Sequence, residues 1–354
     1  MTFTAPPKAA SANRSPGLAP WGNVTARLLL SALSFRAVDS VIRPQRFDVL
    51  SFPVPPYRTV EREWQWAEET GFDQGWIPET WTLAGHSYLE PWTLLAALAR
   101  ATTSLRLGTL VAVLVSRHPA LLAGHVLTVD QISGGRVELG IGGGDVPTDS
   151  GVFGTPQWPA GERVERLGDQ LQFLDALLRG DSVTSSRQHY SVTGAQLTAP
   201  VQKPRPPLVV AAEGRRSLAL VARYADAWVT LGGQPQTPER GVPTVSEDEG
   251  LRATRERIAT LDAHCRELGR DPGQLRRIVV AYRRRVDPLS SVDAFDEFVG
   301  PYAEMGFDEF VFYWPSILAT YKEKREMTAP ERTAAERIAA SRFRRDSAPG
   351  HDRD

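Results

Sequence analysis

The chain has a single cysteine, Cys265, in 354 residues, and it has no long apolar run. One cysteine excludes an internal disulfide and fits a reducing compartment, so a cytoplasmic location is expected. A membrane-spanning helix needs roughly 18 consecutive apolar residues, so no membrane partner is expected. The 41 basic and 42 acidic residues leave a net charge of -1. Such a balance gives no field that attracts nucleic acid or an anionic membrane.

Several catalytic motifs are also missing. The sequence contains no His-Glu-x-x-His and no Cys-x-x-Cys, so it predicts no metal site. It has no Gly-x-Ser-x-Gly, which leaves a serine hydrolase without support. It also has no Gly-Lys-Ser/Thr, the end of a phosphate-binding P-loop.

The two ends of the chain differ from its middle. Residues 1–44 are rich in Ala, Ser and Pro and carry no acid before Asp39. We interpret them as a disordered or loosely docked tail or an over-extended start, with an organelle transit peptide as the alternative. Residues 346–354 form a charged C-terminal tail. A single domain is therefore predicted over residues 45–345.

Inside that domain, short apolar runs alternate with helical patterns. Strands are predicted at residues 47–52, 72–77, 105–114, 137–141, 208–212, 227–231, 278–282 and 307–313. Each is followed by a helix, and parallel strands need such crossover helices. Eight units over about 300 residues predict an α/β fold of the (β/α)₈ TIM-barrel type, with a doubly wound open sheet as the alternative. Residues 181–207 break the alternation and predict a hairpin-containing insertion after the fourth β/α unit.

The most informative stretch is the glycine-rich end of the fourth predicted strand. Gly142, Gly143 and Gly144 remove three side chains where this strand ends, and Asp145 supplies a carboxylate. Glycine lets a flat ligand approach the main chain closely, and barrels carry their chemistry at the carboxyl ends of the strands. We interpret the stretch as part of a cofactor site, and a flexible loop is the alternative.

Other strand ends supply candidate catalytic groups. Glu79 ends the second strand in apolar company, where the pKa of a carboxylate rises and the group suits acid/base chemistry; a capping or salt-bridged acid is the alternative. His118 begins a helix and would either hydrogen-bond a ligand or cap that helix. His86 is a second candidate to assist Glu79. The residues expected in a substrate pocket are Phe52, Trp81 and Tyr313.

The turn after the fifth strand suggests an anion site. Small residues followed by a helix start present backbone N–H groups and the positive end of the helix dipole. Glu213 opposes this interpretation unless its side chain points away, and a plain loop is the alternative. The residues of the predicted anion site are Ala212, Glu213, Gly214, Arg215 and Arg216.

Three motifs, in order, give the chain a family resemblance. They are Leu-Glu-Pro-Trp at residues 89–92, Arg-His-Pro-Ala-Leu-Leu-Ala at 117–123 leading into Ser-Gly-Gly-Arg-Val-Glu-Leu-Gly-Ile-Gly at 133–142, and residues 206–228. Together they resemble the luciferase-like flavin monooxygenase superfamily, which includes oxidoreductases that use the deazaflavin coenzyme F420. The similarity runs from about residue 47 to residue 313.

The resemblance implies where a cofactor lies. A TIM barrel would hold the flavin across its strand ends, with a bulge and a non-prolyl cis peptide at about Leu110-Val111 behind the ring. Residues 142–145 would approach the ring or its ribityl chain, and residues 212–216 would hold the phosphate. The chain departs from the pattern at Thr80, where some relatives have histidine, and at Glu213, where many have Gly or Ser.

These observations support a hypothesis of function. We expect an oxidoreductase, most simply a monooxygenase, that uses reduced FMN or F420 on a small organic substrate. The resemblance also implies a homodimer and a separate flavin or F420 reductase as partner. The alternatives are an F420-dependent hydride transferase without oxygen chemistry, and an inactive barrel that serves as a binding or partner subunit.

Overall fold

The computed structural model describes residues 45–83, 86–144, 147–234, 245–282 and 284–314, without the side chains at 82, 83, 86, 147–149 and 314. The two predicted tails lie outside these described residues. The described strands are β1 (Arg46–Ser51), β2 (Gln74–Ile77), β3 (Thr82–Leu83), β4 (His86–Ser87), β5 (Arg106–Val113), β6 (Val137–Gly142), β7 (Val183–Ser186), β8 (Ser191–Ala195), β9 (Leu208–Ala211), β10 (Ala227–Thr230), β11 (Arg276–Val280) and β12 (Glu309–Trp314).

The helices lie between these strands. They are α1 (Tyr57–Thr70), α2 (Pro91–Ala101), α3 (Pro119–Ser133), α4 (Pro147–Phe153), α5 (Ala160–Arg179), α6 (Arg215–Tyr224), α7 (Glu247–Glu267) and α8 (Val292–Glu304), with a 3₁₀ turn at Pro272–Gln274. None of these described helices is long and apolar enough to cross a membrane. Cys265 is buried in α7.

Eight strands close into a parallel barrel in the order β1-β12-β11-β10-β9-β6-β5-β2. Closure depends on β1, which pairs with β12 on one side and with β2 on the other. In these pairings Arg46 lies opposite Glu309, and Asp48 lies opposite Gln74. The predicted (β/α)₈ barrel is confirmed, and the open sheet is excluded.

Glycine and proline mark the helix ends. Gly71, Gly134 and Gly180 follow α1, α3 and α5 in the left-handed conformation, with φ of 92°, 66° and 85°. A residue without Cβ adopts this conformation without steric cost. Pro91 and Pro119 stand in the first turns of α2 and α3, where the missing N–H is no loss.

The predicted insertion contains the expected hairpin. Strands β7 and β8 pair antiparallel between α5 and β9, outside the barrel sheet. A second antiparallel pair, β3 with β4, precedes α2. That pair and α4 were not predicted, because elements this short give no clear periodicity.

A large side chain on β2 fills part of the barrel interior. Trp76 is fully buried there among Leu50, Val209 and Ile278. Its ring occupies space that Gly108 on β5 leaves open, since a Cβ at Gly108 would lie 2.6 Å from the Trp76 ring. A large side chain on one strand is thus matched by a missing one on the next.

The amino-terminal end of the barrel is closed by charges. The buried carboxylate of Glu138 accepts from Arg106 Nε at 2.8 Å and from Arg276 Nη2 at 2.5 Å. Burial alone would raise the pKa of Glu138, but Arg276, Arg46 and Arg106 together lower it to about 2. A cavity of about 540 Å³ is lined by these charges, by residues 202–205 and 207, and by Asp226. It lies at the end opposite to that where barrel enzymes carry their chemistry.

Two carboxyl groups meet just above this layer. Asp48 Oδ2 accepts from Trp76 Nε1 at 2.8 Å. The other oxygen of Asp48 and Oε1 of Glu309 are buried without a donor among the described residues. Burial, and then the neighbouring Glu309, raise the pKa of Asp48 well above its ordinary value. Asp48 therefore binds a proton more readily in the folded chain than in the unfolded chain.

Replacing Asp48 by asparagine should therefore stabilise the protein more at pH 8 than at pH 5. The pKa of Asp48 is higher in the folded chain than in the unfolded chain, so wild-type stability falls as pH rises between the two values. Each unit of that difference costs about 1.4 kcal/mol at high pH. Urea unfolding at both pH values measures it. Asp181→Asn, at an exposed site, is the control, and a pH-independent gain would refute the raised pKa of Asp48.

Candidate active site

The carboxyl ends of the barrel strands form a rim of partly exposed residues above the buried interior. Chemistry in barrel enzymes takes place at this end. The rim residues that pack on the inner core are Phe52, Val111, Ala211, Leu231, Tyr282 and Tyr313.

One side of the rim, formed by β5, β6 and β9, is thin. Gly142 ends β6, and a Cβ placed on it would lie 3.0 Å from Val111 Cγ2 and 3.3 Å from Ala211 Cβ. Gly142 is buried, and a side chain there would have to displace Val111 or Ala211; we call this place, bounded by Val111, Gly142 and Ala211, the cradle. Val111 and Ala211 are partly exposed, so a flat ligand on the cradle would lie on these two small side chains, close to the main chain of β6.

The bulge implied by the resemblance is present. The register between β5 and β6 shifts between Thr109 and Ala112. Within this interval the Leu110-Val111 peptide is cis and does not involve proline. The prediction for this pair is confirmed in its geometry, and Val111 borders the cradle at Gly142.

The glycine stretch continues toward α5. A Cβ on Gly143 would have Arg163 Cβ as its nearest neighbour, at 3.8 Å. Gly144 has a φ of 63°, which side chains rarely adopt. Asp145, the predicted carboxylate at the mouth, lies outside the described residues.

Glu213 is directed toward the neighbouring strand. Its carboxylate accepts from Thr230 Oγ1 at 2.9 Å and from Leu231 N at 2.8 Å, and it lies 3.0 Å from Arg257 Nη1. These partners belong to β10 and its following residue, and to α7. The predicted anion site needed Glu213 to point away from the start of α6, and these contacts meet that condition.

The start of α6 itself is open. Gly214, Arg215 and Arg216 are exposed, and Ala212 before them is buried. Arg216 pairs with Glu165 on α5 at 3.1 Å. The first turn of α6 therefore faces α5, which also borders Gly143. The predicted cofactor stretch at Gly143 and the predicted anion site at Arg216 thus both lie next to α5.

The carboxylate of Glu79 forms a buried ion pair. Its side chain is fully buried, accepts from Val113 N at 2.9 Å and pairs with Arg117, which also pairs with Glu90. Burial raises the pKa of Glu79, and Arg117 acts in the opposite direction. These are the contacts of a salt-bridged acid, which was the alternative interpretation of Glu79. A role of Glu79 in proton transfer therefore stays a prediction.

The two histidines are placed differently. His118 caps α3, because its Nδ1 accepts from Ala120 N at 3.2 Å. Its exposed ring meets Tyr190 edge-on at 5.7 Å, next to the inserted hairpin. These contacts match the capping alternative. The side chain of His86 lies outside the described residues, so its predicted role is not tested.

Aromatic rings line the other side of the rim. Phe52 stacks on Tyr313 with centroids 6.2 Å apart and planes 11° apart. Tyr282 lies 6.5 Å from Tyr313. Trp81, the third predicted pocket residue, instead meets Phe153 edge-on at 5.2 Å and has the Arg117 guanidinium 5.9 Å away. Phe52 and Tyr313 thus meet, and Trp81 belongs to the Arg117 cluster.

Three residues of the site escaped the sequence interpretation. Arg117 was named only as part of the family motif at residues 117–123 and was given no role. Its positive charge close to a strand end could have identified it as a partner of Glu79. Tyr282 ends a predicted strand, as Tyr313 does, and could have been assigned by the same rule. Glu90 precedes Pro91 in the pattern of a helix cap, and its carboxylate accepts from Trp92 N and Thr93 N.

The described residues hold no group of three or more His, Cys, Asp and Glu side chains arranged for a metal ion. A closed parallel barrel with a thin, partly apolar carboxyl rim defines the class of barrel proteins that bind ligands at that rim. Residues 38–284 match the family model described as luciferase-like monooxygenase. The chain belongs to this family.

Three relatives with assigned activities are 28% or 29% identical to the chain over the aligned residues. The chain is 29% identical to the F420-dependent glucose-6-phosphate dehydrogenase of Beutenbergia cavernae over 70% of this chain and 85% of that protein. It is 28% identical to the 5,10-methylenetetrahydromethanopterin reductase of Archaeoglobus fulgidus, over 67% and 69%. The match to the 4-hydroxyprotoasukamycin monooxygenase of Streptomyces nodosus subsp. asukaensis, 29% identical over 49% of this chain, spans only 46% of that relative.

Solved structures share the fold. The F420-dependent tetrahydromethanopterin reductase of Methanopyrus kandleri superposes with a TM-score of 0.65 at 14% identity, over 84% of this chain and 98% of that one. The monooxygenase RslO1 of Streptomyces bottropensis gives 0.63 at 18% identity, over 85% and 100%. At such identities the similarity demonstrates the barrel alone.

Proposed function

We propose that the chain is an oxidoreductase that binds reduced FMN or reduced F420 at the carboxyl rim of the barrel. Its simplest activity is that of a monooxygenase on a small organic substrate. The observation that carries this proposal is the cradle, where Gly142 at the end of β6 lies between Val111 of β5 and Ala211 of β9. Membership of the luciferase-like monooxygenase family supports it.

The residues around the cradle fit a flat cofactor with an anionic tail. The ring would lie against Val111, Gly142 and Ala211, and the phosphate would lie at the start of α6. Gly214, Arg215 and Arg216 are exposed there, and the carboxylate of Glu213 is engaged on β10 and α7. Asp145 would face the ring or the ribityl chain.

The bound cofactor would supply the electrons that pass to oxygen or, as hydride, to the substrate. The chain's own contribution is position and exclusion of water, which strengthens electrostatic interactions in the site. Glu79 ties β2 to β5, because its backbone N donates to Val111 O at 3.3 Å and its carboxylate accepts from Val113 N. It remains our candidate acid/base, assisted by His118 or His86, and its contacts equally suit a role in positioning Val111.

A second candidate is F420-dependent hydride transfer without oxygen chemistry. It is favoured by the two sequence relatives alone, since the chain covers 85% of the F420-dependent dehydrogenase of Beutenbergia cavernae but 46% of the 4-hydroxyprotoasukamycin monooxygenase. Oxygen consumption in the presence of whichever reduced cofactor binds separates the two candidates. Consumption coupled to substrate oxidation supports the monooxygenase, and substrate turnover without it supports hydride transfer.

We also propose a homodimeric, cytoplasmic enzyme supplied by a separate flavin or F420 reductase. The family resemblance supports the dimer and the reductase, and the single buried cysteine fits a reducing compartment. Light scattering of the purified full chain tests the dimer.

Cofactor titration tests the proposal itself. Reduced FMN or reduced F420 should bind wild-type protein with a Kd of about 10 μM or lower. Gly142→Leu should weaken that binding at least 100-fold, since its side chain would displace Val111 and Ala211, on which the ring would lie. The matched control is Gly300→Leu on α8, where a Cβ meets nothing within 4 Å. If neither cofactor binds the folded wild-type protein, the proposal is wrong and an inactive, partner-binding barrel becomes the better hypothesis.

A further inference from the structure

The cavity at the amino-terminal end of the barrel has a largely cationic lining. It has a volume of about 540 Å³ and lies at the end opposite to the cradle. Five of its ten described lining residues are basic and two are acidic. The basic residues are Arg46, Arg106, Lys203, Arg205 and Arg276. None of the described lining residues is aromatic, so the cavity offers charge and hydrogen-bond donors rather than a stacking surface.

Three of these cations start barrel strands and lie in front of buried acids. Arg46, Arg106 and Arg276 are the first residues of β1, β5 and β11. Their side chains are exposed by 22%, 29% and 24%, whereas those of their partners Glu138 and Glu309 are exposed by 2% and 1%. The carboxylates are therefore covered, and the guanidinium groups can be reached from the cavity.

The arginines keep donors for a ligand. Arg106 donates from Nε to Glu138 and from Nη2 to Gln202, which leaves both hydrogens of its Nη1 without an acceptor among the described residues. Arg276 donates from Nη1 and Nη2 to Glu309 and Glu138, which leaves its Nε. A guanidinium group has five N–H donors in a planar fork that suits phosphate oxygens.

The loop that carries Lys203 is fixed beside these arginines. The buried carboxylate of Asp130 accepts from Val201 N at 2.6 Å and from Gln202 Nε2 at 3.0 Å. On the other side of Lys203, Arg205 pairs with one carboxylate on α5 at 2.8 Å and with one just before β10 at 2.5 Å. Lys203 is exposed and has no acidic partner among the described residues. Its ammonium group is therefore free to contact a ligand in the cavity.

The positive charge around the cavity exceeds the negative charge. Glu138 and Glu309 offset two of the three strand arginines, and Arg205 has its own acidic partners. The pKa of Asp48, which lies behind this layer, is raised well above its ordinary value by burial, so this group adds less negative charge. One strand arginine and Lys203 remain without an offsetting carboxylate. A doubly charged anion would neutralise both through charge-assisted hydrogen bonds.

We propose that this cavity binds a small, doubly charged oxyanion of the phosphate class. Its donors would be the free N–H groups of Arg46, Arg106 and Arg276 and the ammonium group of Lys203. Because the three arginines start β1, β5 and β11, the bound anion would link strands on different sides of the barrel and stabilise its closed form. The site lies away from the cradle, so this inference does not depend on the proposed function.

Phosphate binding to the full chain, without any flavin or F420, tests the inference. Calorimetric titration is done at pH 8, where phosphate is mostly doubly charged, and sodium chloride keeps the ionic strength constant. We expect a phosphate Kd of about 1 mM. Phosphate at about 20 mM should raise the Tm by about 3 °C relative to chloride, and singly charged acetate should give no such rise. No binding heat, or an equal rise with acetate, would overturn the inference.

Variants locate the anion. Lys203→Gln should weaken phosphate binding about fivefold or more, and Lys203→Arg should keep the Kd within about twofold because the charge remains. Position 203 is exposed, and far-UV circular dichroism checks that both variants fold. Arg215→Gln is the matched control, since the start of α6 at the rim is the other proposed anion position. An unchanged Kd in Lys203→Gln would show an adventitious ion only, and a loss confined to Arg215→Gln would place the phosphate at the rim; either result overturns the inference.

Discussion

Replacing Gly140 by alanine is expected to destabilise the barrel by about 3 kcal/mol or more, a loss that prevents folding in a marginally stable chain. Gly140 lies in the middle of β6, where β5 approaches it closely: Thr109 Oγ1 donates to Gly140 O at 2.8 Å. A Cβ on Gly140 would overlap the backbone carbonyl oxygen of Thr109. Backbone atoms of a paired strand have no other rotamer, so the two strands would have to separate.

The matched control is the same substitution at Gly124. This glycine lies inside α3, and a Cβ on it would meet nothing within 4 Å. Alanine there should stabilise the helix by about 0.5–1 kcal/mol. Urea unfolding followed by far-UV circular dichroism measures both variants. A Gly140→Ala protein that unfolds at the wild-type urea concentration would show that β5 and β6 are not packed this closely.

The order of strands and helices was predictable because each element is encoded by residues that are close together in the sequence. Buried parallel strands read as short apolar runs, and glycines such as Gly71 end the helices before them. The start of a helix is less visible in a sequence than its apolar pattern. Helix α7 begins at Glu247, before its first apolar residue Leu251, because Ser246 and Glu249 cap each other. Three acids occupy its first turn, ahead of that apolar pattern.

The contacts of the site were less predictable, because they depend on which strands are neighbours. Glu79 and Arg117 are 38 residues apart in the chain, and they meet because β2 and β5 are adjacent. Phe52 and Tyr313 meet because β1 closes the barrel onto β12. No spacing in the sequence encodes these pairs. The bulge at Leu110-Val111 came from the family resemblance, and the residues alone gave no signal for it.

The Glu79–Arg117 pair leads to the second large effect. Arg117→Met should lower the free energy of unfolding by about 3–5 kcal/mol at pH 8. Methionine keeps the length and the apolar stem of the side chain but leaves the carboxylate of Glu79 buried without its cation. The side chain of Glu79 is 0% exposed and that of Arg117 is 6% exposed, so water does not replace the lost partner. Chemical denaturation at several pH values measures the loss.

The pH dependence identifies the cause. Burial raises the pKa of Glu79, and Arg117 opposes this rise. Without Arg117 the folded-state pKa of Glu79 rises further above the unfolded value. The variant therefore keeps more stability at pH 5, where a larger fraction of Glu79 is protonated, and loses it as pH increases through the folded-state pKa. Glu79→Gln combined with Arg117→Met removes both charges and should recover most of the loss at pH 8. A loss that is the same at both pH values, or that persists in the double variant, would assign the effect to packing around Trp81 and Glu90 instead.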